Sequence, residues 1–218
     1  MKQSDKLFNS AFVSHIIVIG ALIGFLTAIL AILLYILADP TFSFLTHWVS
    51  HLGVGPNGSD IVFNGGMIYS GIMCWIYTLY LSGYLYKKGA VSFLILISLV
   101  CGVILGVGLL LLGIFPLEVI FGVHNIAAGL FFYGGLFSSI FYGVTAYFTP
   151  KISKFQSIVG FLVATIFLSY IIINSLPVNI SFKMIAEWAV FFAIPTWIMS
   201  QGILILRSEK LHIEIPKT

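Results

Sequence analysis

Of 218 residues, 60% are hydrophobic, 16% aromatic and only 8% charged, with a mean hydropathy of +1.13. A water-soluble surface needs far more charge than this, so a soluble globular domain is excluded. The formal net charge of +3 follows the placement of lysines around membrane spans and signals no nucleic-acid partner.

The apolar residues gather into runs of roughly 20 residues or more, each long enough for a helix rising about 1.5 Å per residue to cross a hydrocarbon core of about 30 Å. In chain order the predicted helices cover 12–38, 61–86, 90–114, 120–148, 155–175 and 184–206. The first is too long for the apolar region of a signal peptide and is read as a retained span. Between it and the second lies "DPTFSFLTHWVSHLG", with Asp39 as an N-cap, Pro40 at the first helical position and Gly53 as a stop, predicting a helix over 40–52. At 100° per residue such a helix carries Ser43, Thr46, His47, Ser50 and His51 on one face and Phe42, Leu45, Trp48, Val49 and Leu52 on the other, the pattern of an interfacial helix. "GVGPNGSD" then turns the chain toward Asn64 at the head of the second span. The third and fifth spans end near prolines in "GIFPLE" and "NSLPVN". Alternating barrel-type strands are missing, so the fold class is all-α, a single polytopic six-helix transmembrane bundle.

Lysine and arginine set the orientation. Lys2, Lys6, Lys87, Lys88, Lys151, Lys154, Arg207, Lys210 and Lys217 fall in the termini or in the connections after the second and fourth spans, and Lys183 alone falls opposite. The positive-inside rule then predicts a multi-pass protein of the cell membrane with both termini cytoplasmic. Asp39, Asp60 and Glu118 lie outside, as do the sequons Asn57-Gly58-Ser59 and Asn179-Ile180-Ser181. Cys74 and Cys101 are mid-helix packing residues. Small residues at four-residue spacing, Gly20/Gly24, Gly102/Gly106 and Gly135/Ser139/Gly143, predict close helix approach, within one chain or in a homo-oligomer or membrane assembly. Trp188, Trp197, Tyr77, Tyr80, Tyr84, Tyr86 and Tyr147 read as packing or interfacial aromatics.

The strongly polar residues within the spans, Asn64, His124, Asn125, Asn174 and Glu187, all sit toward the outer half. Groups of this kind are costly in hydrocarbon and normally face a bundle interior or water, so their grouping predicts a cavity open to the outside. The expected ligand-binding residues are Ser50, Asn57, Asn64, His124, Asn125 and Glu187. Lys183 is a candidate partner for Glu187. His47 and His51, at i and i+4, admit three roles: a solvated polar face, hydrogen bonding in a ligand pocket, or ligation of zinc or haem. The metal alternative draws on His47, His51, His124 and Glu118; otherwise no cofactor is expected.

"VSHLGVGPNGSDIVFNGGMIYSGIM" (49–73) and "GIFPLEVIFGVHNIAAGLFFYGGLF" (113–137) resemble the signature regions of an uncharacterised prokaryotic membrane family, domain of unknown function 998. Ser50, Leu52, Gly53, Asn64, Pro116, His124 and Asn125 match its pattern, which often carries an acidic residue at the place of His51. The resemblance implies the six-helix layout over almost the whole chain. The arrangement is also similar to the FRAG, DRAM and SFK group of eukaryotic membrane proteins, some tied to lipid-anchor remodelling or autophagy.

Three functions fit these features, with membrane lipids as the common partner. The first is recognition of a lipid headgroup or small amphiphile in an outward polar pocket. The second is a metal-assisted or general-base lipid hydrolase or transferase. The third is a structural subunit of a membrane assembly. No nucleophile elbow, P-loop or His-Glu-x-x-His motif supports a named chemistry.

Overall fold

The computed structural model describes residues 10–117 and 120–214, so Glu118 lies outside the described residues. Six long helices account for most of them: α1 (Ser10–Ala38), α2 (Ser59–Lys87), α3 (Ser92–Ile114), α4 (Phe121–Phe148), α5 (Lys154–Ser175) and α6 (Ile180–Glu214). All six are long and apolar enough to cross a membrane, and no strand occurs among the described residues. The chain is an integral, multi-pass membrane protein. Its outer faces agree: Ile19, Leu26, Leu33 and Leu37 of α1 are exposed, as are Phe93 and Leu96 of α3, which suits lipid and not water.

The helices follow one another around a closed ring. Each packs on the next in sequence, and α6 packs back on α1. Small residues set the spacing. A Cβ on Gly71 would lie 2.8 Å from the Gly106 carbonyl oxygen, so α2 and α3 meet backbone to backbone. A Cβ on Gly108 would lie 2.4 Å from the Phe131 amide nitrogen, which brings α3 onto α4. The predicted Gly20 and Gly24 face Met73 and Ser70 of α2, and Gly135 faces the Phe167 ring of α5. Inside the ring the even-numbered helices meet. Tyr77 of α2 and Tyr142 of α4 both pack on Trp197 of α6, at ring-centre distances of 5.8 and 5.7 Å.

The ends of the bundle are distinguished by their bonds. Ser14 Oγ of α1 reaches Tyr80 OH of α2 at 2.9 Å, and Tyr84 OH of α2 meets Ser208 Oγ of α6 at 3.4 Å. These place the start of α1 and the later turns of α2 and α6 at one end, here called the tail end. The connection 39–58 lies at the opposite, turn end.

The α-helix expected over 40–52 does not form. Asp39 Oδ1 accepts from the Thr41 amide at 2.9 Å and its hydroxyl at 2.6 Å, closing a local turn in place of an N-cap. The His47 amide then returns to the Ser43 carbonyl at 3.0 Å, Trp48 is extended, and only Val49–Val54 coils again, as a 3₁₀ helix. The cause is local competition: short polar side chains such as Asp39, Ser43 and Thr46 hydrogen-bond nearby backbone and offer it an alternative to helix. Here the Ser43 hydroxyl accepts from the Leu45 amide at 3.2 Å and the Thr46 hydroxyl meets His47 Nδ1 at 2.9 Å.

The sixth span runs through a proline, as its expected bounds imply. Pro195 sits inside α6, which continues through it. Lacking an N–H, it leaves the Phe191 carbonyl without its i+4 donor.

Candidate functional site

The 3₁₀ turn is seated on the turn end by side chains from α2 and α6 and a backbone carbonyl of α1. Leu52 is wholly buried and Val49 and Gly53 nearly so, so the apolar side of the turn points down into the ring. Trp188 Nε1 of α6 donates to the His47 carbonyl at 2.9 Å, and the Val49 amide donates to Glu187 Oε2 at 3.1 Å. From α2, Asn64 Nδ2 donates to the Gly53 carbonyl at 2.9 Å and the Ser59 hydroxyl donates to the Leu52 carbonyl at 3.2 Å. Asn57, in the left-handed region at φ 57°, donates its amide to the Leu34 carbonyl of α1 at 3.1 Å. Backbone groups that have no partner in a helix thereby find one at the edge of a low-dielectric region, where an unpaired group is costly.

Beneath the turn lies a partly open cavity between α2, α4 and α6. Its polar wall is Ser50, Asn64, His124 and Glu187; its apolar wall includes Phe63, Met67, Phe131, Phe132 and Phe191. His124 is 7% exposed, and its Nδ1 lies 3.0 Å from the Phe115 carbonyl. A carbonyl only accepts, so Nδ1 carries the hydrogen, and in the neutral ring Nε2 is an acceptor. Asn64 Oδ1 is buried with no partner, and the second oxygen of Glu187 makes no hydrogen bond among the described residues. Tyr170 of α5 closes the site from behind, stacked on Phe132 at 4.0 Å.

A second, partly open cavity lies deeper between α1, α2 and α6. Thr27 and Ser70 are its polar side chains, and the rest of its wall is apolar, from Ile17, Ala21 and Phe25 to Pro195 and Ile198. Phe63, Met67, Phe131 and Phe191 line both cavities. The polar chamber and the apolar one therefore share a partition of four side chains.

Ser50, Asn64, His124 and Glu187, distant in sequence, thus come together on one wall. Other expected residues do not join them. Asn125 is exposed on the outer face of α4, since one residue along a helix rotates about 100° away from His124. Asn57 is exposed and spent on the Leu34 carbonyl. Lys183 donates to the Asn174 carbonyl at 2.8 Å and does not pair with Glu187.

His47 and His51 do meet, edge to face at 5.6 Å, although no α-helix places them there. His47 packs against Phe42 and Tyr35, at 4.9 and 5.4 Å between ring centres. Burial, then the nearby His47, hold the His51 pKa below its ordinary 6.5. Among the described residues no group of three His, Cys, Asp or Glu side chains is arranged to hold a metal. His124 thus does not join the histidine pair in such a group, and Glu118, the fourth expected ligand, lies outside the described residues.

Sequence reasoning missed a second polar cluster. It expected the intramembrane polar groups in the outer half, yet toward the tail end Tyr142 donates its hydroxyl to Gln201 Oε1, and both side chains are fully buried. Tyr77 OH, Trp197 Nε1 and Gln201 Nε2 are buried beside them without partners. The available signal was Gln201 in an apolar span.

A family model described as "Protein of unknown function (DUF998)" matches residues 22–203. No curated protein and no solved structure matches the chain. The match supports the family resemblance read from residues 49–73 and 113–137, and nothing extends it to the FRAG, DRAM and SFK group.

Proposed function

This chain belongs to the DUF998 family, a family of unknown function, and on that premise we propose that it recognises a lipid headgroup or small amphiphile, head in the polar chamber and tail in the apolar one. One observation carries the reading: two largely apolar chambers share the partition of Phe63, Met67, Phe131 and Phe191, and one of them also carries Ser50, Asn64, His124 and Glu187, so a few polar groups adjoin a longer apolar space as a headgroup adjoins its tail. Sites for small ligands are mostly apolar with a few placed polar groups, and the chamber beneath the turn has that character. The lysine distribution supports a cytoplasmic tail end in the cell membrane, so the polar chamber opens toward the exoplasmic leaflet. A headgroup there stays near the interface while its tail descends beside α1 and α6.

Lipid retention tests this. Ala28 is buried on the wall of the apolar chamber only, and Ala28→Phe fills that chamber without touching the polar groups. Native mass spectrometry of the detergent-purified chain is expected to show a retained amphiphile on the wild type and at least about a tenfold loss in Ala28→Phe, about 1.4 kcal/mol of binding. Equal retention in both, or none in the wild type, contradicts the reading.

A further inference from the structure

Taking the amphiphile reading as its basis, we propose that the headgroup bound in the polar chamber carries a primary ammonium. The polar groups that line it have acceptors to spare. Glu187 brings a carboxylate with one oxygen on the Val49 amide and the other unbonded among the described residues. Asn64 spends its N–H on the Gly53 carbonyl and leaves Oδ1 buried and unpartnered. His124 spends Nδ1 on the Phe115 carbonyl, which leaves Nε2 to accept. A phosphate asks for the reverse, donors and positive charge, and among the described residues no lysine or arginine lines the chamber.

An ammonium offers three N–H donors and no acceptor, which complements this wall in number and in sign. It also supplies the countercharge that a carboxylate in apolar surroundings otherwise lacks. The carbons next to the nitrogen fall among Phe63, Phe131, Phe132 and Phe191, whose ring faces attract a cation. A lipid with an aminoethyl headgroup and a free alkylamine share this chemistry.

The test uses the full chain in dodecyl maltoside, titrated separately with dodecylammonium, dodecyltrimethylammonium and dodecyl phosphate and followed by the thermal unfolding midpoint. Dodecylammonium is expected to bind about tenfold tighter than dodecyltrimethylammonium, which has no N–H, and tighter still than dodecyl phosphate. Glu187→Gln keeps an acceptor for the Val49 amide and is expected to lose about tenfold for dodecylammonium alone. Ser50→Lys, which sets a competing ammonium on the wall and leaves Glu187 intact, is expected to abolish dodecylammonium binding and to gain dodecyl phosphate. In nanodiscs, preferential retention of phosphatidylethanolamine over phosphatidylglycerol assigns the ammonium to a lipid; dodecylammonium binding without that preference assigns it to a free amine. Equal or tighter binding of dodecyl phosphate, or dodecylammonium affinity unchanged in both variants, overturns the ammonium assignment and leaves the amphiphile reading standing. If no dodecyl compound shifts the midpoint and Ala28→Phe leaves lipid retention unchanged, both fall.

Discussion

Glu187 and Asn64 each do two things at once. One atom holds the 3₁₀ turn, through Val49 and Gly53, and the other makes no hydrogen bond among the described residues. Removing the carboxyl group strips the Val49 amide of its acceptor, and a buried donor left unpaired typically costs about 1–3 kcal/mol. Glu187→Ala should therefore lower the thermal midpoint in detergent, while Glu187→Gln, which still accepts, should not. An unchanged midpoint in the alanine variant would show that the turn is held without this contact. His51 predicts a pH response. Its folded pKa lies below 6.5, so the unfolded chain takes up the proton first. The stability this contributes is present above about pH 6.5 and is lost as the pH falls through and beyond that value. The midpoint should thus fall between pH 7.5 and pH 5, with a shallower fall in His51→Asn. These roles were half legible in sequence. Polar residues in an apolar chain announce themselves, so Asn64, His124 and Glu187 stood out, but single-residue rotation around α4 decides that His124 faces inward and Asn125 outward. In a span that is hydrophobic on every side, no periodicity reports that rotation.

At the level of elements, the spans were readable because length and hydropathy suffice to cross a bilayer, and the observed ends differ from the expected ones by only a few residues except at the C-terminal end of α6. There the helix runs on through Arg207, beyond the apolar stretch that marks a span. The segment 39–58 was misread because caps and an amphipathic pattern describe a helix in isolation. Its actual path depends on Trp188 and Glu187, more than a hundred residues away. Helix contacts were partly legible: glycine spacing marked closely packed faces of α1, α3 and α4 without naming the helices they meet, and Gly71 and Gly108 carry no four-residue partner pattern. Both sit where a side chain meets backbone, which cannot swing aside. Gly108→Val should cost about 1–3 kcal/mol or more by overpacking α3 against α4, read as a drop in midpoint. Little or no drop would mean that the α3 and α4 backbones separate easily.

Across the whole molecule, a closed ring of six spans leaves two adjoining, largely apolar compartments, one of which also carries Ser50, Asn64, His124 and Glu187. The sequence marked the polar one through its few costly residues. It left the apolar one invisible, since the wall of such a chamber has the same composition as the lipid-facing surface. The lysine pattern makes a further prediction at this scale: a cysteine at Asn57 should react with an impermeant maleimide added to intact cells, and one at Lys151 only after permeabilisation. The reverse pattern would turn the polar chamber toward the cytoplasm.

The central claim is that the adjoining chambers hold one amphiphile, and the most direct measurement is an experimental density map of the protein in a lipid nanodisc. The account predicts a compact feature among Asn64, His124 and Glu187, continuous past Phe63, Met67, Phe131 and Phe191 into a tail beside Ala28. A map with side chains closing that partition, and no connected feature across it, would contradict the account.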